Sequence, residues 1–80
     1  MYLDTLTLEC FVAVAETASF TRAAQRVGRT QSAVSRQIKL LENSLGVDLI
    51  IRSSKKVMLT DKGRELFQSL IQFEKNSSDI

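Results

Sequence analysis

The chain has 80 residues, a hydrophobic content of 44%, a charged content of 25% and a formal net charge of +2 at pH 7. This composition is typical of one small folded domain, and we expect most of the chain to be ordered. One cysteine, Cys10, and no histidine exclude an internal disulfide and disfavour a zinc site, and we predict neither a metal nor a cofactor. No apolar run approaches the roughly 20 residues that span a bilayer. The acidic N-terminal segment is opposite to a signal peptide, so we expect a cytoplasmic protein without a membrane partner.

The charge is distributed unevenly along the chain. Residues 1–21 hold three acidic and no basic side chains, residues 22–64 hold ten basic against three acidic, and residues 65–80 hold one basic against three acidic. The three segments therefore carry −3, +7 and −2. Positive charge concentrated in one segment favours a surface that binds a polyanion over one that is merely solvated.

Two helices are predicted before residue 28. Thr5 or Thr7 caps the first, which runs to about Thr17. Its predicted buried stripe follows helical spacing: Leu8, Phe11, Val12 and Ala15. Ser19 or Thr21 caps the second helix. That helix ends at about residue 27, with small packing residues at Ala23, Ala24 and Val27. Gly28 supplies the left-handed or otherwise unusual backbone conformation that ends it.

A third helix is predicted between Thr30 as the N-cap and Gly46 just beyond its end. Its apolar side chains fall within about 60° of arc on the helical wheel, and they are Val34, Ile38, Leu41 and Leu45. The far side of the same helix carries polar residues suited to DNA bases and phosphates, namely Ser32, Ser35, Arg36 and Lys39, with Gln31 near the exposed N-terminal end. Two helices joined in this way indicate a helix-turn-helix, whose second helix enters the DNA major groove.

A basic hairpin and a fourth helix complete the chain. Residues 47–51 and 57–59 are rich in β-branched and long apolar side chains and predict two strands. The tip between them carries Arg52, Lys55 and Lys56. Thr60 caps the last helix, with Asp61 near its positive end. The apolar stripe of this helix packs on the domain's own core, pairs with a second copy, or does both, and its members are Leu66, Phe67, Leu70, Ile71 and Phe73.

The chain resembles the LysR-type transcriptional regulators of bacteria, and the resemblance covers it from about Leu3 to its C-terminus. The matching residues are Phe11-Val12-Ala13-Val14-Ala15-Glu16, Ser19-Phe20-Thr21-Arg22-Ala23-Ala24, Gln31-Ser32-Ala33-Val34-Ser35-Arg36-Gln37-Ile38, Leu41-Glu42, Leu45-Gly46-Val47, Leu49, Arg52, and Leu59-Thr60 with Gly63. The implied fold is mainly α, a winged helix-turn-helix of three helices and a two-stranded β wing followed by a long linker helix. We expect residues 1–60 to form the DNA-binding domain and residues 61–80 the linker and dimerisation helix. Ile50 stands where the family usually has phenylalanine.

The same resemblance implies the partners. We expect double-stranded DNA and a homodimer formed through the linker helix, with a tetramer as a further state of a full-length chain. Members of the family usually continue into an effector-binding domain, so the chain resembles an isolated DNA-binding fragment, and any small-molecule effector binds through a domain not present here.

Each polar residue has an expected role. Gln31 pairs with an adenine edge, and Arg36 reaches guanine or a phosphate. Ser32 and Ser35 contact bases or backbone. The residues expected at the DNA backbone or minor groove are Thr21, Arg22, Arg29, Lys39, Arg52, Lys55 and Lys56. We expect Cys10 to be a packing residue rather than a redox switch.

Three other functions compete with a sequence-specific regulator. A helical protein-interaction module explains the last helix but not the basic segment. An enzyme is disfavoured, since there is no histidine, no glycine-rich phosphate loop and no paired carboxylate set. A nonspecific architectural DNA binder remains open, because phosphate contacts alone confer no sequence preference.

Overall fold

The computed structural model describes residues 4–53 and 57–78, and it describes side chains of the last helix through residue 72. The elements are α1 (Thr5–Thr17), α2 (Phe20–Val27), α3 (Gln31–Leu45), β1 (Ile50–Arg52), β2 (Val57–Leu59) and α4 (Asp61–Ser78). Four helices with a two-stranded antiparallel sheet confirm the predicted fold class. Within the described ranges, none of the helices is long and apolar enough to cross a membrane.

The start of α1 differs from the prediction. Asp4 is the N-cap, and its carboxylate accepts a hydrogen bond from the Thr7 amide at 2.9 Å. Neither Thr5 nor Thr7 caps the helix, because both lie inside its first turn. The Thr7 hydroxyl instead donates to Oε1 of Gln37 on α3 at 2.8 Å.

The predicted buried stripe of α1 is also only partly right. Phe11 is fully buried, whereas Leu8, Val12 and Ala15 are half-buried. The residues that α1 buries are Thr7, Cys10, Phe11, Ala13 and Val14. The reason is tertiary, since α1 packs mainly against α2 and α3 and Leu8 and Val12 lie on the side of α4.

Cys10 is a packing residue, as predicted. Its side chain is fully buried in the core cluster. Burial raises the pKa of the thiol, and the nearby negative charge of Glu9 raises this pKa further. Both effects keep Cys10 in its protonated, poorly nucleophilic form.

The turn between α2 and α3 follows the predicted local chemistry. Of the two candidate caps for α2, Ser19 is the right one, and its hydroxyl accepts from the Arg22 amide at 3.1 Å. Ala23 and Ala24 are buried, which lets α2 lie close to its neighbours. Gly28 has a left-handed backbone with φ 71° and ends the helix as predicted.

The limits of α3 and its apolar face are confirmed. The Thr30 hydroxyl caps the helix by accepting from the Ala33 amide at 3.1 Å, and Gly46 follows its end with φ 72°. Of the four predicted apolar side chains, three are buried, namely Val34, Ile38 and Leu41. The fourth, Leu45, packs against the core and is partly exposed. The helix is therefore held from one side only.

The hairpin pairs Ile50 with Leu59 and Arg52 with Val57 in an antiparallel register. Its first strand begins three residues later than predicted and includes Arg52. Before that point the backbone is bonded elsewhere, since the Val47 amide donates to the Glu42 carbonyl and the Leu49 amide donates to the Glu42 carboxylate.

The fourth helix is capped by Thr60, as predicted. The Thr60 hydroxyl accepts from the Gly63 amide at 3.0 Å, and Asp61 forms an ion pair with Arg64 at 3.0 Å. Part of the predicted apolar stripe packs against the domain's own core and remains partly exposed, namely Leu66, Phe67 and Leu70. Packing on the domain's own core is thus confirmed for the N-terminal part of the stripe, and pairing with a second copy stays a prediction.

Candidate nucleic-acid interface

The buried side of α3 determines which of its residues face outward. Val34 and Ile38 are fully buried, so the helix cannot rotate without opening the core. The polar residues predicted to read DNA consequently point away from it. Of these residues, Ser35 is half-buried. The exposed ones are Gln31, Ser32, Arg36 and Lys39.

Two hydrogen bonds tie the start of this face to its surroundings. The hydroxyl of Thr21, near the start of α2, donates to Gln31 Oε1 at 3.3 Å. The hydroxyls of Thr30 and Ser32 lie 3.3 Å apart, where either donates. The structure therefore brings Thr21 and Gln31 together, although their sequence positions suggested separate roles.

A recess of about 540 Å³ lies along one edge of the polar face. Leu40 lines it and is 50% exposed. Gln37 also lines it and is held by the hydroxyl of Thr7. The sequence analysis gave neither residue a role at the site, because both lie between the apolar and polar arcs of the helix, where periodicity assigns neither face.

The cations expected at phosphates are exposed wherever the structure describes their side chains, except that Arg52 is partly covered. Arg22 is exposed in the first turn of α2, and Arg29 is exposed in the turn after that helix. Lys39 is exposed on α3 itself. Lys55 and Lys56 lie outside the described residues.

Arg52 differs from its expected place at the hairpin tip. It is the last residue of β1, and its guanidinium carbon lies 5.5 Å from the centroid of the Phe20 ring. Its Nη2 is 3.9 Å from Oε1 of Glu42, and the side chain is 34% exposed. Arg52 therefore links the hairpin to both helices of the helix-turn-helix.

Glu42 is a further residue to which the sequence analysis gave no role. It is buried near the end of α3. Its Oε2 accepts from the amides of Leu49 and Ile50 at 2.8 and 3.1 Å. The available signal was that Glu42 is the one acidic residue of α3 and follows the apolar residue Leu41. The carboxylate fixes the start of β1 against α3.

A largely apolar groove of about 570 Å³ runs between α1 and α4. Leu8 and Val12 line it from α1, and Leu70 and Ile71 line it from α4. It contains two of the residues expected to dimerise, while Leu66 and Phe67 pack against the core. The side chain of Phe73 lies outside the described residues.

Comparison with known proteins identifies the family. Residues 6–64 match the sequence model of the bacterial regulatory helix-turn-helix proteins of the lysR family. The chain belongs to the LysR family. This LysR-family chain is thus related to regulatory proteins, as the resemblance in its sequence indicated.

Individual relatives agree with this assignment. The chain is 49% identical over 70 residues to a probable cat1 operon transcriptional activator of Acinetobacter lwoffii, covering 88% of this chain and 23% of that protein. It is 48% identical over 64 residues to the transcriptional activator AllS of Klebsiella pneumoniae, covering 80% of this chain and 24% of that protein. The chain therefore spans about a quarter of the length of these relatives.

A solved structure shares the fold of the LysR-family chain. The DNA-binding domain of BenM, in complex with benA site 1 DNA, superposes with a TM-score of 0.86 at 38% identity. The match covers 96% of this chain and 86% of that one. The similarity extends across nearly the whole chain and is not confined to the helix-turn-helix.

Proposed function

We propose that this chain binds specific sequences of duplex DNA through α3 and regulates transcription in the bacterial cytoplasm. The observation that carries the proposal is the outward polar face of α3, on a helix that is capped at both ends and buried along its opposite side. A helix of this kind fits the major groove, where each base pair presents a distinct pattern of donors and acceptors. The similarity to a domain solved with DNA supports the same conclusion.

In this proposal the N-terminal half of α3 reads bases. Gln31 forms a bidentate pair with adenine, and Arg36 binds guanine or a phosphate. Ser32 and Ser35 contact bases or backbone over a shorter reach.

Basic residues around α3 supply affinity without sequence preference. Arg22, Arg29 and Lys39 are exposed and bind phosphates. Lys55 and Lys56 of the wing, which comprises the hairpin β1–β2 and its connection, contact the backbone or minor groove. Arg52 contributes mainly through the placement of the wing, because its guanidinium already faces Phe20 and Glu42.

We further propose that residues 1–60 act as the DNA-binding unit and that residues 61–80 dimerise it. The apolar groove between α1 and α4 is suited to a second copy. Two copies present two α3 helices to paired half-sites, as two-fold symmetric DNA requires.

The proposal is tested by selecting duplexes from a random library and measuring affinity for selected and scrambled sequences at one salt concentration. Gln31→Ala and Arg36→Ala should each weaken specific binding by about 1–3 kcal/mol, the value of one bidentate pair with a base. Gln68→Ala removes an exposed glutamine from α4 and should leave binding unchanged.

Two results count against the proposal. Equal affinity of the parent chain for selected and scrambled duplexes would indicate an architectural DNA binder, because phosphate contacts carry no sequence information. An unchanged sequence preference in both Gln31→Ala and Arg36→Ala would remove α3 from base reading.

A further inference from the structure

The side chains of Thr21 and Gln31 meet across the turn of the helix-turn-helix. Thr21 is the second residue of α2, and Gln31 is the first residue of α3. The Thr21 hydroxyl donates a hydrogen bond to Gln31 Oε1 at 3.3 Å, and both residues are exposed. The contact thus lies on the surface where DNA is proposed to bind.

We propose that Thr21 is a positioning residue for base recognition, because it orients the Gln31 amide so that this amide reads adenine. The inference rests on the proposed function, in which Gln31 contacts a base. It assigns to Thr21 a share in sequence specificity rather than a contact with phosphate.

The donor and acceptor pattern of the amide permits this role. A side-chain carbonyl oxygen has two lone pairs, so Oε1 accepts from Thr21 with one and from adenine N6 with the other. The amide is planar, so holding Oε1 also sets the direction of Nε2, which donates to adenine N7. The hydrogen bond to Thr21 therefore leaves the complete bidentate pair available.

The same chemistry conflicts with a phosphate contact from Thr21. A threonine hydroxyl has one hydrogen to donate, and that hydrogen is directed at Gln31. Phosphate oxygens only accept, so the hydroxyl cannot serve both at once. Arg22, the next residue, is exposed and carries the charge that a phosphate requires.

The backbone that carries Thr21 is firmly placed. Ser19 caps α2 through the Arg22 amide, and Phe20 packs against the core beneath the guanidinium of Arg52. A glutamine side chain loses rotational freedom about several bonds when it binds. Orienting the side chain before binding reduces this entropic cost. Thr21 supplies this orientation from a fixed position.

The test compares variants on a selected duplex and on duplexes with single base-pair substitutions, by fluorescence anisotropy at one salt concentration. The base pair at which Gln31→Ala abolishes discrimination identifies the Gln31 contact. At that base pair, Thr21→Val should reduce discrimination about fivefold, the value of one neutral hydrogen bond. Thr21→Ala should behave like Thr21→Val, and Thr21→Ser, which keeps the hydroxyl, should retain the parental discrimination.

A double variant separates positioning from direct contact. In the Gln31→Ala background, Thr21→Val should cause no further loss of discrimination. If Thr21→Val instead weakens binding equally to all duplexes, Thr21 contacts the backbone and the inference is wrong while the proposed function stands. If Gln31→Ala leaves discrimination unchanged at every base pair, the base contact of Gln31 fails and the inference fails with it.

Discussion

Gly63 is the residue at which α4 meets the backbone that leads into β1. It is buried in the first turns of α4. A Cβ placed on it would lie 3.1 Å from the carbonyl carbon of Leu49 and closer still to the carbonyl oxygen. That oxygen is itself held, since it accepts from the Thr60 amide at 3.0 Å. A side chain at position 63 therefore displaces backbone rather than a flexible neighbour.

Gly63→Ala should lower the free energy of unfolding by about 1–3 kcal/mol, as overpacking does elsewhere. A loss of stability would be informative, because helix propensity alone favours alanine over glycine by about 1 kcal/mol and predicts the opposite change. Urea unfolding followed by circular dichroism measures the change. Ser69→Ala, at an exposed position of α4, is the control and should be neutral or slightly stabilising. A Gly63→Ala variant as stable as the parent would show that α4 docks more loosely.

Glu42 binds the backbone amides of the segment whose Leu49 carbonyl lies against Gly63. One carboxylate oxygen accepts hydrogen bonds from two backbone amides, and the other lies 3.9 Å from Nη2 of Arg52. Glu42→Gln preserves the shape of the side chain but replaces the charge and places an amide among donors. We expect a loss of about 1–3 kcal/mol in the free energy of unfolding at pH 7. The control is Glu65→Gln, which removes an exposed ion pair with Lys62 and should change stability by less than about 1 kcal/mol. Equal effects of the two substitutions would contradict the role assigned to Glu42.

At the scale of elements, the proposed function gives α3 and the wing different tasks. In that proposal the hydrogen-bonding groups of α3 distinguish base pairs, whereas the wing lysines contact phosphate. Arg52 and Glu42 join the two elements. The orientation of the wing therefore depends on α3.

The double variant Lys55→Ala, Lys56→Ala should weaken binding to every duplex and leave the preference among duplexes unchanged. The slope of log affinity against log salt should fall by about one for each phosphate that the variant no longer neutralises. Arg26→Ala is a matched control, since this exposed cation pairs with Glu16 of α1. A salt slope equal to that of the parent would place the wing lysines away from DNA.

At the scale of the whole molecule, α4 serves both the domain and its proposed partner. Leu66 and Phe67 pack against the core. Leu70 and Ile71 line the groove that α4 forms with α1 and are half-buried. Full burial of a large apolar side chain contributes about 1.5–3 kcal/mol. Covering this groove with a second copy would therefore stabilise the dimer.

Replacing Leu70 and Phe73 with glutamate should produce monomers that keep weak half-site binding but lose cooperative binding to paired sites. Sedimentation equilibrium and footprinting measure the two effects. Since Leu70 also contacts the core, Ile71→Glu provides a second variant, and Gln72→Glu adds the same charge at an exposed position of the helix. A parent chain that is monomeric at high micromolar concentration and leaves an unpaired footprint would refute dimerisation through α4.

Local interactions made much of this fold predictable from the sequence. Helix caps depend on residues within three or four positions of one another, so Ser19, Thr30 and Thr60 could be read as caps or candidate caps, and Gly28 and Gly46 as helix ends. The two faces of α3 followed from its periodicity for the same reason. Gln31, Ser32 and Arg36 are exposed and Ser35 is half-buried, while the contacts of all four residues with DNA stay predictions.

The sequence by itself determined the helix-turn-helix, the pair of strands and the polar face of α3, because each depends on neighbours along the chain. Only the tertiary structure decided which side of α1 is buried, where β1 begins and where Arg52 lies. Those features depend on α1 packing mainly against α2 and α3, which leaves Leu8 and Val12 lining the groove toward α4, and on the Glu42 carboxylate binding backbone amides seven and eight residues away. The spacing of residues shows which face of a segment is apolar, but it does not show which distant segment that face meets or which backbone groups a side chain binds.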